Sequence, residues 1–124
     1  VRGKVIDPLK FPNWVGARYK AAGIGYERTK AEEMRERGWD EALIYNVLQH
    51  CEDPQRAIRK TRLAAKIIRV FEWIGTPENI GHPHSLTEPR LNRWLKGEGK
   101  IEEIRGQNNC WGKAYYGVFV GKEA

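Results

Sequence analysis

The side chains in this sequence best equipped for chemistry are basic. Between Asp53 and Glu72 stand Arg56, Arg59, Lys60, Arg62, Lys66 and Arg69, with no acid among them. The guanidinium fork donates two parallel hydrogen bonds to a phosphate, and each phosphate neutralised releases counterion. Read as one helix, the stretch places Arg59, Arg62, Lys66, Arg69 and Trp73 on a single stripe at steps of three and four. Arg56 and Lys60 then stand near the helix entry. Arg90, Arg93 and Lys96 form a second basic side, and Arg2, Lys4 and Lys10 make the N-terminal segment basic. This pattern points to backbone contact with nucleic acid. Trp73, beside the arginines, is a candidate for base stacking. Docking of the ridge onto an acidic protein surface is the alternative.

Other chemistry is weakly represented. His82 and His84 lie in H-x-H, with His50-Cys51 and Cys110 elsewhere, and none of these has the spacing of a structural zinc site. No metal and no cofactor are expected. Ser85 is the sole serine, and its S-x-x-E spacing to Glu88 reads as a helix cap. Cys51 sits on an apolar stripe, which disfavours its thiolate. Two cysteines in a chain this short indicate free thiols in an intracellular setting, although one Cys51–Cys110 bridge stays open. Gly23-Ile24-Gly25 lacks a third glycine for a dinucleotide or phosphate loop.

The elements expected to hold these residues are helical. At 40% hydrophobic and 31% charged over 124 residues, one folded domain is expected over disorder. Residues 1–14 read as an extended basic arm, 15–105 as the helical domain and 106–124 as a C-terminal tail. A first helix is expected over 14–37. A second starts at Asp40, with Leu43, Ile44, Val47, Leu48 and Cys51 as its apolar stripe. The third has Asp53 as N-cap, Pro54 at N1 and Gly75 as its stop. The fourth covers about 86–96. Ile101–Arg105 reads as a helical turn, and Tyr115–Val120, rich in β-formers, as a strand or closing segment. The fold class expected is mainly α: a small irregular four-helix bundle with an extended N-terminal arm and an extended C-terminal tail.

Ala17–Asn46 resembles the segment around the cofactor lysine of class IV pyridoxal-phosphate aminotransferases, with Lys20 at the Schiff-base position. Ile24-Gly25 replaces that family's asparagine, and no E-G-x-x-x-N segment follows Asn46. Pyridoxal phosphate is therefore not expected. In layout only, the chain is similar to the DNA-wrapping helical coat proteins of filamentous archaeal viruses. The function expected is non-enzymatic: a basic structural protein that oligomerises, with itself or a paralogous subunit, and coats or compacts nucleic acid. It would reside inside the cell or within a nucleoprotein particle. A small accessory subunit of a larger protein or respiratory complex is the alternative, and a small enzyme comes last. No run is long enough for a membrane span.

Overall fold

The computed structural model describes residues 2–75, 84–105 and 112–122. His82, Cys110 and Trp111 lie outside them, and so does any bridge to Cys110. The architecture is mixed α/β, which corrects the four-helix expectation. Among the described residues, six strands are interspersed with three helices: β1 (Gly3–Ile6), α1 (Asn13–Ala21), β2 (Ile24–Glu27), β3 (Trp39–Tyr45), α2 (Pro54–Ala64), β4 (Ala65–Ile74), α3 (Glu88–Leu95), β5 (Lys100–Ile104) and β6 (Gly112–Val120). Short 3-10 turns occupy Ala31–Glu33 and Leu48–His50. The strands form two sheets. β1 and β2 pair in parallel, and a second sheet has the order β3-β4-β6-β5. There β3 and β4 are parallel, while β6 runs antiparallel to both its neighbours.

The largest departure from the sequence reading lies between residues 54 and 74. The expected start is correct: Asp53 Oδ1 accepts the N–H of Arg56 at 3.0 Å, and Pro54 opens the helix. The helix then ends at Ala64, and the chain passes directly into a ten-residue strand. From Ile68 onward, Ile68, Val70 and Glu72 face inward and are 0 to 2% exposed, alternating with Ile67, Arg69, Phe71 and Trp73. This period of two is that of a strand. Four β-branched residues (Ile67, Ile68, Val70, Ile74) and two aromatics favour it. The basic ridge is accordingly broken. Arg59 and Arg62 stand on α2, whereas Lys66, Arg69 and Trp73 stand on β4.

The switch from helix to strand is sealed by the tail. Gly121 N–H donates to Lys66 O and Lys122 N–H to Arg62 O, both at 2.7 Å. A Cβ at Gly121 would run into the Ala65 carbonyl, so only glycine permits this approach. The expected second helix is β3 followed by a 3-10 turn. The expected first helix is reduced to α1, then β2, and the expected turn at Ile101–Arg105 is strand β5 as far as Ile104.

Helices α2 and α3 cover one face of the four-stranded sheet. The core joins Ile58, Leu91 and Leu95 from the helices to Ile44, Ile68, Val70, Tyr115 and Phe119 from the strands. Asn92 ties α3 to the sheet: its Oδ1 accepts the Tyr115 hydroxyl at 2.7 Å and the Gly99 N–H at 2.9 Å.

Candidate functional site

In open parallel sheets, ligands bind beyond the carboxyl ends of the strands, where neighbouring loops diverge. Here β1 and β3 bring their carboxyl ends to one cavity of about 870 Å³, which runs between the two sheets and is mainly apolar. Each end is shaped by a polar side chain.

After β1, Asp7 Oδ1 accepts the N–H of Leu9 at 2.8 Å, forming a tight turn. β2 supports this turn from beside it. The Tyr26 hydroxyl donates to Leu9 O at 2.5 Å and Arg28 Nε to Pro8 O at 3.2 Å. Asp7 N–H reaches Glu27 O at 3.2 Å. The aspartate therefore sits fixed at the rim of the cavity.

After β3 the chain turns at Asn46, whose φ of 55° lies in the left-handed region. The segment from Asn46 to Asp53 is held by two buried carboxylates from elsewhere in the fold. Glu72 Oε1, in the middle of β4, accepts the N–H groups of Val47 and Leu48 at 2.9 and 3.0 Å. Glu32 Oε2 accepts those of Glu52 and Asp53 at 3.2 and 3.4 Å. Glu72 is wholly buried, and burial pushes its carboxyl up to about 7 against the opposing pull of the two N–H donors. Cys51, in the same segment, has its thiol pushed up to about 12, first by burial and then by the charge of Glu32. It is poorly suited to act as a nucleophile. His50 and Glu52 also line the cavity, and Lys30 Nζ meets Glu52 Oε1 at 3.2 Å near its mouth.

The residues singled out for phosphate contact do not converge. Arg56 and Arg59 are exposed on α2, with Lys60 and Arg62 partly covered. Arg69 forms a bidentate pair with Glu41 on β3, at 3.1 and 3.2 Å. Lys66 lies 3.6 Å from Asp40. Trp73 packs edge-on against Phe71, with 5.4 Å between ring centroids. Arg90 and Arg93 are exposed on α3, and Lys96 forms its left-handed cap. Lys10 is exposed beyond the Asp7 turn. Arg2 and Lys4 do line the cavity, but both are engaged. Arg2 lies over the Trp39 ring at 4.6 Å, and Lys4 is paired with Glu27 at 3.0 Å and Glu36 at 3.2 Å. Lys20 is exposed on α1 and does not line the cavity. His84 Nε2 lies 2.6 Å from Glu52 O. Among the described residues no group of three or more His, Cys, Asp or Glu is placed to hold a metal ion, and no helix is long and apolar enough to cross a membrane.

No family model and no curated protein sequence matches the chain. Solved structures do match its fold. One is the 1,6-didemethyltoxoflavin-N1-methyltransferase of Burkholderia thailandensis, which holds 1,6-didemethyltoxoflavin and S-adenosylhomocysteine. It has a TM-score of 0.70 at 12% identity over 97% of this chain and 61% of that one. A SAM-dependent methyltransferase from Methanosarcina mazei scores 0.70 at 10% identity, over 97% of this chain and 82% of that one. The N-methyltransferase NodS of Bradyrhizobium japonicum, in complex with S-adenosylhomocysteine, scores 0.65 at 16% identity, over 98% and 67%.

The chain shares the mixed α/β, Rossmann-like fold of these structures. This chain spans about three-fifths of the length of the first three structures it matches. The likeness overturns the expectation of a non-enzymatic protein that coats nucleic acid, and with it the expected partners, a nucleic-acid backbone or a further copy.

Asp7, Glu32 and Glu72 are not among the residues whose type and spacing pointed to chemistry. The available signal for Asp7 was short: the apolar pair Val5-Ile6, then an acid, then Pro8, which together resemble the end of a strand.

Proposed function

We propose that this chain forms the cofactor-binding half of an S-adenosylmethionine-dependent methyltransferase acting on a small molecule. The observation that carries the reading is Asp7 at the carboxyl end of β1, fixed at the rim of a cavity between parallel strands. In nucleoside-binding sheets of this kind, an acid at a strand end accepts hydrogen bonds from ribose hydroxyls.

The residues fit an S-adenosyl group. The cavity, at about 870 Å³, is within the roughly 300–1,000 Å³ usual for small-molecule sites. Leu9, Met34 and Val47 give it apolar surface for an adenine ring, and Asp7 supplies a ribose acceptor. The carboxylates of Asp7, Glu32 and Glu52 make the surroundings favourable for a sulfonium cation. When bound, that group supplies an electrophilic methyl. The chain's part is to hold it and to exclude water through the segment that Glu72 and Glu32 fix in place.

Calorimetric titration with S-adenosylhomocysteine tests the reading. Saturable binding, weakened at least about tenfold by Asp7→Asn (a lost charge-assisted hydrogen bond), is the expected result. Absence of saturable binding by both S-adenosylhomocysteine and S-adenosylmethionine, in protein whose fold is verified by circular dichroism, would overturn it.

A further inference from the structure

We infer that the outer surface of the α2–α3 layer is a docking face for a carboxylate-rich polypeptide segment. The two helices cover the same face of the sheet and touch each other. Each is followed by the strand that returns beneath it, and β4 and β5 both run antiparallel to β6. The helices therefore lie side by side in the same sense. Their inner sides are spent on the core, through Ile58, Leu91 and Leu95. Their outer sides carry two rows of cations at steps of three: Arg56, Arg59 and Arg62 on α2, and Arg90, Arg93 and Lys96 along and just past α3. Residues three apart are neighbours on a helix surface. All but Arg62 are exposed, and none of the six lines the cavity between the sheets. The surface is thus separate from the site given to the S-adenosyl group, and the inference is independent of that reading.

The rows stand apart from the other cations of the chain. Among the described residues none of the six forms an ion pair, whereas Lys4, Lys30, Lys66 and Arg69 all do. α2 contains no acid, so its like charges three residues apart repel without relief. Arg56 also stands in the first turn of α2, where the helix dipole disfavours a cation. A surface built for solubility intersperses the two signs. One that bears this repulsion is suited to an anionic partner.

The chemistry selects carboxylates carried on a polypeptide. The guanidinium fork donates two parallel hydrogen bonds to a carboxylate. This chain already makes that pair within itself, between Arg69 and Glu41 at 3.1 and 3.2 Å. A bilayer also offers anions, but a helix lying on lipid buries an apolar face in it. Among the described residues no large exposed apolar side chain stands on α2 or α3. The rows do not meet at one point, so a compact anion would engage only part of one of them. Packed helices have axes about 8–10 Å apart. An extended acidic segment laid along the groove between them reaches both rows at once.

The test titrates the 124-residue chain into a fluorescein-labelled peptide of Glu and Ala, longer than the 11 residues of α2. Fluorescence anisotropy is read at physiological salt, with the Gln-for-Glu version of the peptide as control. Expected is saturable binding of the acidic peptide and none of its Gln version. Arg59→Glu/Arg93→Glu, one reversal in each row, should weaken binding at least about tenfold. Lys20→Glu/Lys100→Glu makes the same change of net charge at exposed positions on α1 and β5, and should leave binding unchanged. Circular dichroism verifies the fold, and the milder Arg59→Gln/Arg93→Gln pair repeats the comparison if charge reversal disturbs it. The arginine Nε–H signals of Arg59 and Arg93 should shift in the NMR spectrum as peptide is added. Three results would overturn the inference. One is absence of saturable binding by the acidic peptide. Another is equal weakening by the Lys20/Lys100 variant. The third is tighter binding to duplex DNA, or to vesicles containing phosphatidylserine, than to the peptide at the same salt.

Discussion

Glu72 Oε1 accepts the backbone N–H of Leu48 at 3.0 Å, across 24 residues of sequence. The same oxygen takes the N–H of Val47 at 2.9 Å, so a carboxylate in the middle of one strand fixes the turn that leaves its neighbour. Its other oxygen is buried with no hydrogen-bond partner among the described residues. A proton on that second oxygen relieves the cost of burying the charge.

Stability should therefore fall as this proton is lost. The folded-state value is raised to about 7 from an ordinary 4.5. The contribution is complete below pH 4.5 and disappears as pH rises through 7, by roughly 3 kcal/mol at the 1.36 kcal/mol carried by each pKa unit. Urea unfolding of the Glu72→Gln variant at pH 5, 6 and 7 is expected to lack this decline. An equal slope in both proteins would show that Glu72 is not its source.

Gly99 lies under the ring of Tyr115, and a Cβ there would overlap the ring. Tyr115 is fully buried and anchored to Asn92, so the ring has little freedom to withdraw. Gly99→Ala is expected to cost about 1–3 kcal/mol, the usual range for overpacking. Gly121→Ala, which meets a backbone carbonyl instead of a side chain, should cost more. Chemical denaturation midpoints of the two variants give the order.

Glu41 is held below the ordinary carboxylate range by its hydrogen bond and charge pairing with Arg69. Arg69→Ala is expected to return it to that range, as followed by carboxyl-carbon NMR titration. An unmoved titration would mean that the bidentate contact does not persist in solution.

The Cys51 thiol, pushed up to about 12, is almost wholly protonated at pH 8. Iodoacetamide should label it very slowly in the folded protein and at an ordinary rate in urea. Mass spectrometry of the peptide containing Cys51 distinguishes it from Cys110.

Parts of this architecture are written plainly in the sequence. Asp53 followed by Pro54 marks the start of α2, and residues 86–96 enclose α3. The β-formers of Tyr115–Val120 fall within β6. The strand β4 was hidden by its own apolarity. β4 carries apolar residues on both faces, so on a helical wheel they surround the axis, and periodicity alone cannot separate the two states. In 43–51 a strand and a 3-10 turn together imitate the steps of one amphipathic helix. The site was hidden for another reason. Asp7, Glu32 and Glu72 are solitary acids far apart in sequence; only the fold brings Asp7 and Glu32 to one cavity and sets Glu72 behind the Val47–Leu48 turn that lines it. The arginines, more numerous and contiguous, drew the chemical reading to a surface where they are dispersed.

The direct passage from α2 into β4, with no residue between Ala64 and Ala65, makes the chain a rigid gear at that point. An insertion of one residue after Ala64 could not be absorbed by a loop. It would advance every following strand position by one and turn each side chain to the opposite face. Glu72 would then leave the turn at Val47 and Leu48, and Phe71 would arrive in its place. A single inserted alanine at the end of α2 should thus release the turn at Val47 and Leu48, although no residue of that turn had changed.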